Sequence, residues 1–135
     1  MRRRIAILTA AFATLLAAST LTATPAVAQA QQKFIVFFHS WSAEMDPAAQ
    51  DVVAAAANYA RQNPAMQVEV VGFASTTGSQ KANMYLSLLR AQLVSDRIAE
   101  AGIAAARIAR VGEGSVNAVG TNEEARRVEI VVRAP

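Results

Sequence analysis

The sequence predicts an α/β fold of the α+β kind, in which two main helices pack on a mixed sheet in the order β-α-β-α-β-β. Four short runs are rich in β-branched residues or alternate apolar with polar residues, as strands do. Two longer segments between them carry apolar or small residues at helical spacing. The last two strand-like runs follow each other with no long helix between them, a pattern typical of a mixed sheet with helices on one or both faces.

The first 28 residues are predicted to be a secretory signal peptide. Arg2, Arg3 and Arg4 precede an apolar run from Ile5 to about Leu21, and Ala26-Val27-Ala28 forms a small-residue cleavage box. An uncleaved membrane anchor is the alternative, but the run is short and diluted with Ala and Thr for a span of roughly 20 apolar residues. We therefore expect export to the periplasm, and a mature domain over 29–135 that contains no transmembrane span.

The composition of the mature chain excludes several classes of function. Of 13 Lys and Arg residues, three lie in the signal segment, which leaves 10 to balance the 10 Asp and Glu residues. Bulk attraction to a nucleic acid or an anionic membrane is therefore not expected. The chain has no cysteine, which excludes disulfides, thiolate metal sites, a cysteine nucleophile and a lipid anchor on an N-terminal cysteine.

The first strand and helix are predicted from the segment that follows. The run FIVFF at 34–38 is continuously apolar and of strand length, which favours a central strand covered on both faces. Asp46 and Pro47 predict the start of a helix. The Asp side chain can accept a hydrogen bond from an unpaired backbone N–H of the first turn, and Pro has no backbone N–H at a position where that group would have no partner. Asn63-Pro64 ends this helix.

The remaining elements follow from alternation and capping residues. Polar and apolar residues alternate over 66–70, which predicts a second strand with Met66, Val68 and Val70 facing the core. Ser79 caps a second helix that Gly102 ends. A third strand is predicted over 107–111, before the turn-rich GEGS, and a last alternating strand over 128–133.

Arg90 does not fit the predicted core face of the second helix. Leu86, Leu93 and Val94 make the inward stripe, and at about 100° per residue Arg90 falls in its middle, with Asn83 on the same line two turns before. A buried guanidinium needs an internal carboxylate or a cleft open to an anion, unless its head reaches the surface. The loop Gly72 to Gly78 precedes this helix, so the loop and Arg90 are predicted to share one cleft.

An ordered series of motifs across the mature chain resembles the OmpA-like peptidoglycan-associating domain. The motifs are FFxxxSAEM-P from Phe37, Gly72 with Gly78, Asn83-x-x-Leu86-Ser87-x-x-Arg90-Ala91, Gly102-Ile103 with Arg107-Ile108, Gly112-Glu113-Gly114, and Arg126-Arg127-Val128-Glu129-Ile130. The resemblance implies the same β-α-β-α-β-β order. It also implies noncovalent binding of the diaminopimelate residue of the peptidoglycan stem peptide, in the periplasm at the cell wall or outer membrane.

The resemblance further implies roles for individual residues. Arg90 would take a ligand carboxylate, Asn83 would line the pocket, and the loop with Ser75 and Thr77 would face the ligand. An aspartate of the family loop, which takes the ligand ammonium, is Ser75 here, and the acid common after the first strand is His39. The asparagine usual before the paired arginines is Ala125.

Replacing that aspartate by a serine predicts weaker binding. Hydrogen bonds to charged groups contribute more than neutral ones, so the loss is roughly ten- to a hundredfold in affinity for diaminopimelate. Without an acid, the pocket is also expected to be more positive and to favour a carboxylate that lacks a nearby amine.

Two alternatives to a wall-binding module are considered. The same fold with a degenerate pocket would serve as a structural module or would bind other envelope proteins. An enzyme is not expected, since His39 beside Ser40 and Ser42 lies in extended chain whose neighbours point apart, and no motif for a nucleophile or a metal is present. No cofactor is predicted.

Overall fold

A computed structural model describes residues 31–116 and 122–135, so the predicted signal peptide at 1–28 and the start of the polar lead-in lie outside the described residues. The elements are β1 (Gln32–Phe37), α1 (Pro47–Gln62), β2 (Gln67–Ala74), α2 (Gln80–Glu100), a 3-10 turn (Ala105–Arg107), β3 (Ile108–Ser115), α3 (Asn122–Ala125) and β4 (Arg127–Arg133). The predicted order is confirmed, and the short α3 and the 3-10 turn are additions. In these two ranges no helix is both long and apolar enough to cross a bilayer.

The four strands form one mixed sheet in the order β1-β4-β2-β3. β4 runs antiparallel to both β1 and β2, and β2 runs parallel to β3. The register aligns Val36 with Val128 and Val70 with Ile130, so alternate residues of neighbouring strands share one face. Both helices contribute to a single apolar core with this face, because Val53 of α1 and Val94 of α2 belong to the same buried cluster.

The prediction that FIVFF is a central strand covered on both faces is wrong. β1 is an edge strand, in which Val36 is fully buried while Ile35 and Phe37 are exposed, Phe37 to 52%. An antiparallel strand commonly has one face against the core and the other in water. Apolar side chains on the second face do not show that another element packs against it. The two interior positions belong to β4 and β2, whose sequences alternate polar and apolar residues.

Capping residues set the ends of the two long helices as predicted. The Asp46 carboxylate accepts a hydrogen bond of 2.8 Å from the Ala49 amide, directly before Pro47. The Ser79 hydroxyl accepts one of 3.1 Å from the Ala82 amide at the start of α2. Gly102, just past the end of α2, has a φ of +100°, which is the left-handed conformation that ends helices.

The inward stripe of α2 differs from the prediction. Leu86 and Leu93 are only half-buried, and the helix buries Asn83, Ser87, Arg90, Ala91, Val94, Ser95 and Ile98. The reason is a close approach of α2 to the sheet, since a Cβ added at Gly72 would overlap the carbonyl oxygen of Ser87. Small residues face the sheet, and the larger leucines lie to the side.

Two strands extend further than predicted. β2 continues through Ala74, and β3 continues through the GEGS segment to Ser115. The residues from Gly72 to Ala74 and the GEGS segment are therefore strand, where loops were predicted. Gly72 pairs with Gly112 in the parallel ladder. Both glycines make room for the backbone of α2. The connection from β2 to α2 is therefore shorter than the predicted Gly72 to Gly78 loop and begins at Ser75.

Candidate ligand-binding cleft

The Arg90 side chain projects from the sheet-facing side of α2 and is buried. Its Nε donates a hydrogen bond of 2.8 Å to the Ser42 carbonyl, and Nη2 donates one of 2.9 Å to the His39 carbonyl. Nη1 donates one of 3.3 Å to the carbonyl of Phe73. The guanidinium carbon also lies 5.2 Å from the centroid of the Phe38 ring. All of these partners are uncharged.

These contacts show what the buried guanidinium does for the fold. The carbonyls belong to the segment after β1 and to the end of β2, so Arg90 joins two parts of the chain that are far from it in sequence. In that segment Trp41 has a φ of +54°, which bulky residues rarely adopt. A guanidinium has five N–H donors, so the three bonds seen in the described chain leave donor capacity for a guest.

Arg90 lines a small cleft beside the β2–α2 connection, with a volume of about 80 Å³. Four of the predicted site residues meet there, namely Arg90, Ser75, Thr77 and Asn83. The full lining consists of Ser40, Trp41, Ser75, Thr77, Asn83, Leu86, Arg90, Asn122 and Arg126. The predicted sharing of one cleft by the connection and Arg90 is therefore confirmed as geometry.

The loop side of the cleft is held by Asn83 and Trp41. The Asn83 side-chain amide is buried and donates a hydrogen bond of 3.0 Å to the Thr77 carbonyl. The Trp41 ring lies over Gly78, where an added Cβ would come within 2.5 Å of the ring. Trp41 thus covers the loop, and Gly78 has a φ of +87° that suits glycine.

The structure places the ring of His39 outside this cleft. Its side chain is 78% exposed, and its Nε2 lies 3.5 Å from a carboxylate oxygen of Asp46. The ring faces a neighbouring groove of about 400 Å³ that Phe37, Glu123 and Glu124 also line. Only the carbonyl of His39 reaches the cleft region, as an acceptor for Arg90.

The cleft is positively charged, because the described part of its lining contains two arginines and no carboxylate. Arg126 donates from Nε to the Phe38 carbonyl at 3.2 Å, and its Nη2 lies 4.0 Å from a carboxylate oxygen of Glu123, which is 81% exposed. Burial, and then the charge of Arg126, lower the pKa of Arg90 from its ordinary value to about 10. Arg90 therefore remains charged at neutral pH. Arg126 places a second positive charge beside it, and the carboxylate that Arg126 pairs with, on Glu123, is solvated.

Five residues of the lining were not predicted as site residues, namely Ser40, Trp41, Leu86, Asn122 and Arg126. The signal for Arg126 was present, because successive side chains of an extended segment point to opposite faces. Arg127 stacks on the Phe73 ring at 4.2 Å, which leaves Arg126 on the cleft side. Asn122 begins α3 directly after the undescribed residues 117–121, and no sequence pattern marks it.

Comparisons with known proteins give the relationships of this chain. The OmpA family model matches residues 37–130. The peptidoglycan-binding protein ArfA of Mycobacterium tuberculosis is 35% identical over 103 residues, which are 72% of this chain and 32% of ArfA. The probable lipoprotein YiaD of Escherichia coli is 34% identical over 103 residues, which are 72% of this chain and 47% of YiaD. The chain thus spans between about a third and a half of these relatives.

A solved structure gives the same picture of the fold. The OmpA-like domain of FopA1 from Francisella tularensis superimposes with a TM-score of 0.70 at 25% identity, covering 78% of this chain and 73% of that one.

Proposed function

Because this chain belongs to the OmpA family, we propose that it is a noncatalytic periplasmic protein that binds peptidoglycan noncovalently through this cleft. The ligand would be the diaminopimelate residue of the stem peptide. The observation that carries the proposal is the buried guanidinium of Arg90 beside a small polar cleft. The relative named as a peptidoglycan-binding protein, ArfA, supports the choice of ligand.

The cleft suits a carboxylate for a physical reason. Bonds between a guanidinium and a carboxylate are charge-assisted and roughly twice as strong as neutral hydrogen bonds. Arg90 is already fixed by three backbone carbonyls, so little side-chain freedom is lost on binding. Arg126 adds a second positive charge, and the hydroxyl groups of Ser75 and Thr77 add polar contacts on the loop side.

Binding of diaminopimelate is proposed to be weakened. Its free α-carbon carries an ammonium next to the carboxylate, and Ser75 offers that ammonium only a neutral oxygen. The difference between a charged and a neutral acceptor corresponds to roughly ten- to a hundredfold in affinity.

Sedimentation with intact peptidoglycan sacculi tests the proposal. We expect the predicted mature chain, 29–135, to pellet with sacculi, and Ser75→Asp to increase the bound fraction. Ser75→Asn is the matched control, because asparagine has the size of aspartate without its charge. Arg126→Gln should decrease retention, since it removes one of the two cations. If the wild type and Ser75→Asp both stay in the supernatant, the cleft is not a wall site.

A second candidate is a structural or protein-binding role in the envelope. Two observations favour it, namely the absence of an acid from the cleft lining and the exposure of Phe37 on the open face of the sheet. Cross-linking in cells distinguishes the two functions. A reproducible protein partner together with no wall retention would support the second one, whereas a wall-bound wild type would argue against it.

A further inference from the structure

We infer that the cleft selects a carboxylate whose neighbouring amine is acylated, in preference to a free zwitterionic amino acid. This inference rests on the proposed function, because it specifies the chemical form of the stem peptide that the site takes. When a neighbouring stem acylates the free amine of diaminopimelate, the ammonium becomes a neutral amide and the carboxylate beside it is unchanged. The preferred ligand would then be a cross-linked stem.

The charges of the cleft carry the first step. A carboxylate bound by Arg90 brings any ammonium on the same carbon to within a few ångströms of the guanidinium. Arg126 lines the same cleft, and none of the described residues that line it is an acid. The nearest carboxylate to Arg126 in the described chain, on Glu123, is 4.0 Å away and well solvated. An ammonium in this position would meet two positive charges, and opposition of like charges weakens recognition.

The polar groups of the lining carry the second step. Ser40, Ser75, Thr77 and Asn122 line the cleft, and their side chains contain hydroxyl or amide oxygens. Each of these can accept a hydrogen bond from the N–H of an amide, and a neutral donor needs only a neutral acceptor. The volume of about 80 Å³ has room for a carboxylate and its nearest substituents but not for a whole peptide. The residues therefore match an acylated amine better than an ammonium.

Three small probes built on D-alanine separate the contributions of the carboxylate and of the amine, and the last two of them have nearly the same shape. D-Alanine carries the carboxylate and the ammonium, N-acetyl-D-alanine carries the carboxylate and an amide, and N-acetyl-D-alanine amide carries no charge. NMR titration of the predicted mature chain, 29–135, would follow the backbone amides of Ser75 to Gly78, which lie in the loop beside the cleft. We expect N-acetyl-D-alanine to bind about tenfold more tightly than D-alanine. The uncharged probe should produce no saturable shift.

Variants at position 75 provide the matched comparison. Ser75→Asp supplies the missing carboxylate and should reverse the preference, so that D-alanine binds more tightly than N-acetyl-D-alanine. Ser75→Asn should keep the preference of the wild type. The inference is overturned if D-alanine binds the wild type as tightly as N-acetyl-D-alanine, if Ser75→Asp leaves the order unchanged, or if no probe binds.

The outcomes for the inference and for the proposed function are separable. If N-acetyl-D-alanine binds selectively while sacculi do not retain the protein, the selectivity stands and the wall function fails. If sacculi retain the protein while the zwitterion is preferred, the wall function stands and the selectivity fails. Sacculi of high and low cross-linking add a direct measurement, in which retention should rise with cross-linking.

Discussion

Replacement of Arg90 by methionine should destabilise the domain strongly, independently of any ligand. The substitution keeps an unbranched apolar side chain in the core but removes hydrogen bonds to the carbonyls of His39, Ser42 and Phe73. A hydrogen bond with a charged partner contributes about 1.5–3 kcal/mol, and a buried acceptor left without a partner costs about 1–3 kcal/mol. Two effects reduce the expected loss of stability. The three carbonyls are only partly buried, and the variant no longer has to bury a guanidinium. We therefore expect a loss of about 3–5 kcal/mol, against a typical total of 5–15 kcal/mol.

Urea unfolding monitored by circular dichroism measures this loss. Arg90→Lys is an informative second variant, since it keeps the positive charge but a single ammonium replaces the planar fork that reaches three carbonyls. It should therefore be destabilised as well. Arg97→Met on the same helix is the control, because Arg97 is 52% exposed and pairs only with Glu100 at 3.6 Å. Its effect should stay within about 0.5 kcal/mol. An Arg90→Met protein within about 1 kcal/mol of the wild type would refute the structural role of these bonds.

Two further predictions concern packing and pH. Gly72→Ala should lower the unfolding free energy by about 3 kcal/mol, since the new Cβ would overlap the Ser87 carbonyl. At Gly102 a new Cβ meets open space but the φ is +100°, so Gly102→Ala should lower it by only about 1–2 kcal/mol. Equal losses of the two variants in urea unfolding would contradict the close approach of α2. Because the pKa of Arg90 is about 10 in the fold and higher in the unfolded chain, the unfolded chain binds more protons above about pH 10. The stability of the wild type relative to Arg90→Met should therefore be constant below about pH 10 and rise above it, while affinity for a carboxylate falls; a constant difference up to pH 12 would contradict the lowered pKa.

Local signals predicted the helices of this domain well. Asp46 with Pro47 and Ser79 form the caps that the sequence suggested, because a cap depends on residues within one turn of the helix. The position of a strand in the sheet depends instead on pairing partners elsewhere in the chain. The FIVFF pattern therefore predicts a central strand although the segment forms an edge. In the same way, Gly72, Gly112 and Gly114 suggest loops although they lie within β2 and β3.

The candidate site was predictable to the extent that side-chain chemistry marks it. An arginine at Arg90, in the middle of an apolar stripe, showed that something unusual is buried there. Its partners were not predictable, because they are carbonyls, which every residue has, and the nearest of the three in sequence, that of Phe73, is 17 positions away. Arg126 could have been found from the alternation of Arg126 and Arg127, whereas nothing in the sequence brings Asn122 to the cleft.

The two roles of Arg90 determine which experiments can establish function. Loss of wall binding in an Arg90 variant would follow from a missing carboxylate partner or from collapse of the segment after β1, and a binding assay alone does not separate the two. Ser75 lies outside the strands and helices, in the short connection to α2. An added carboxylate there is expected to increase binding of a zwitterion beside two arginines. Unfolding does not produce a gain in affinity, so the comparison of Ser75→Asp with Ser75→Asn tests the cleft directly.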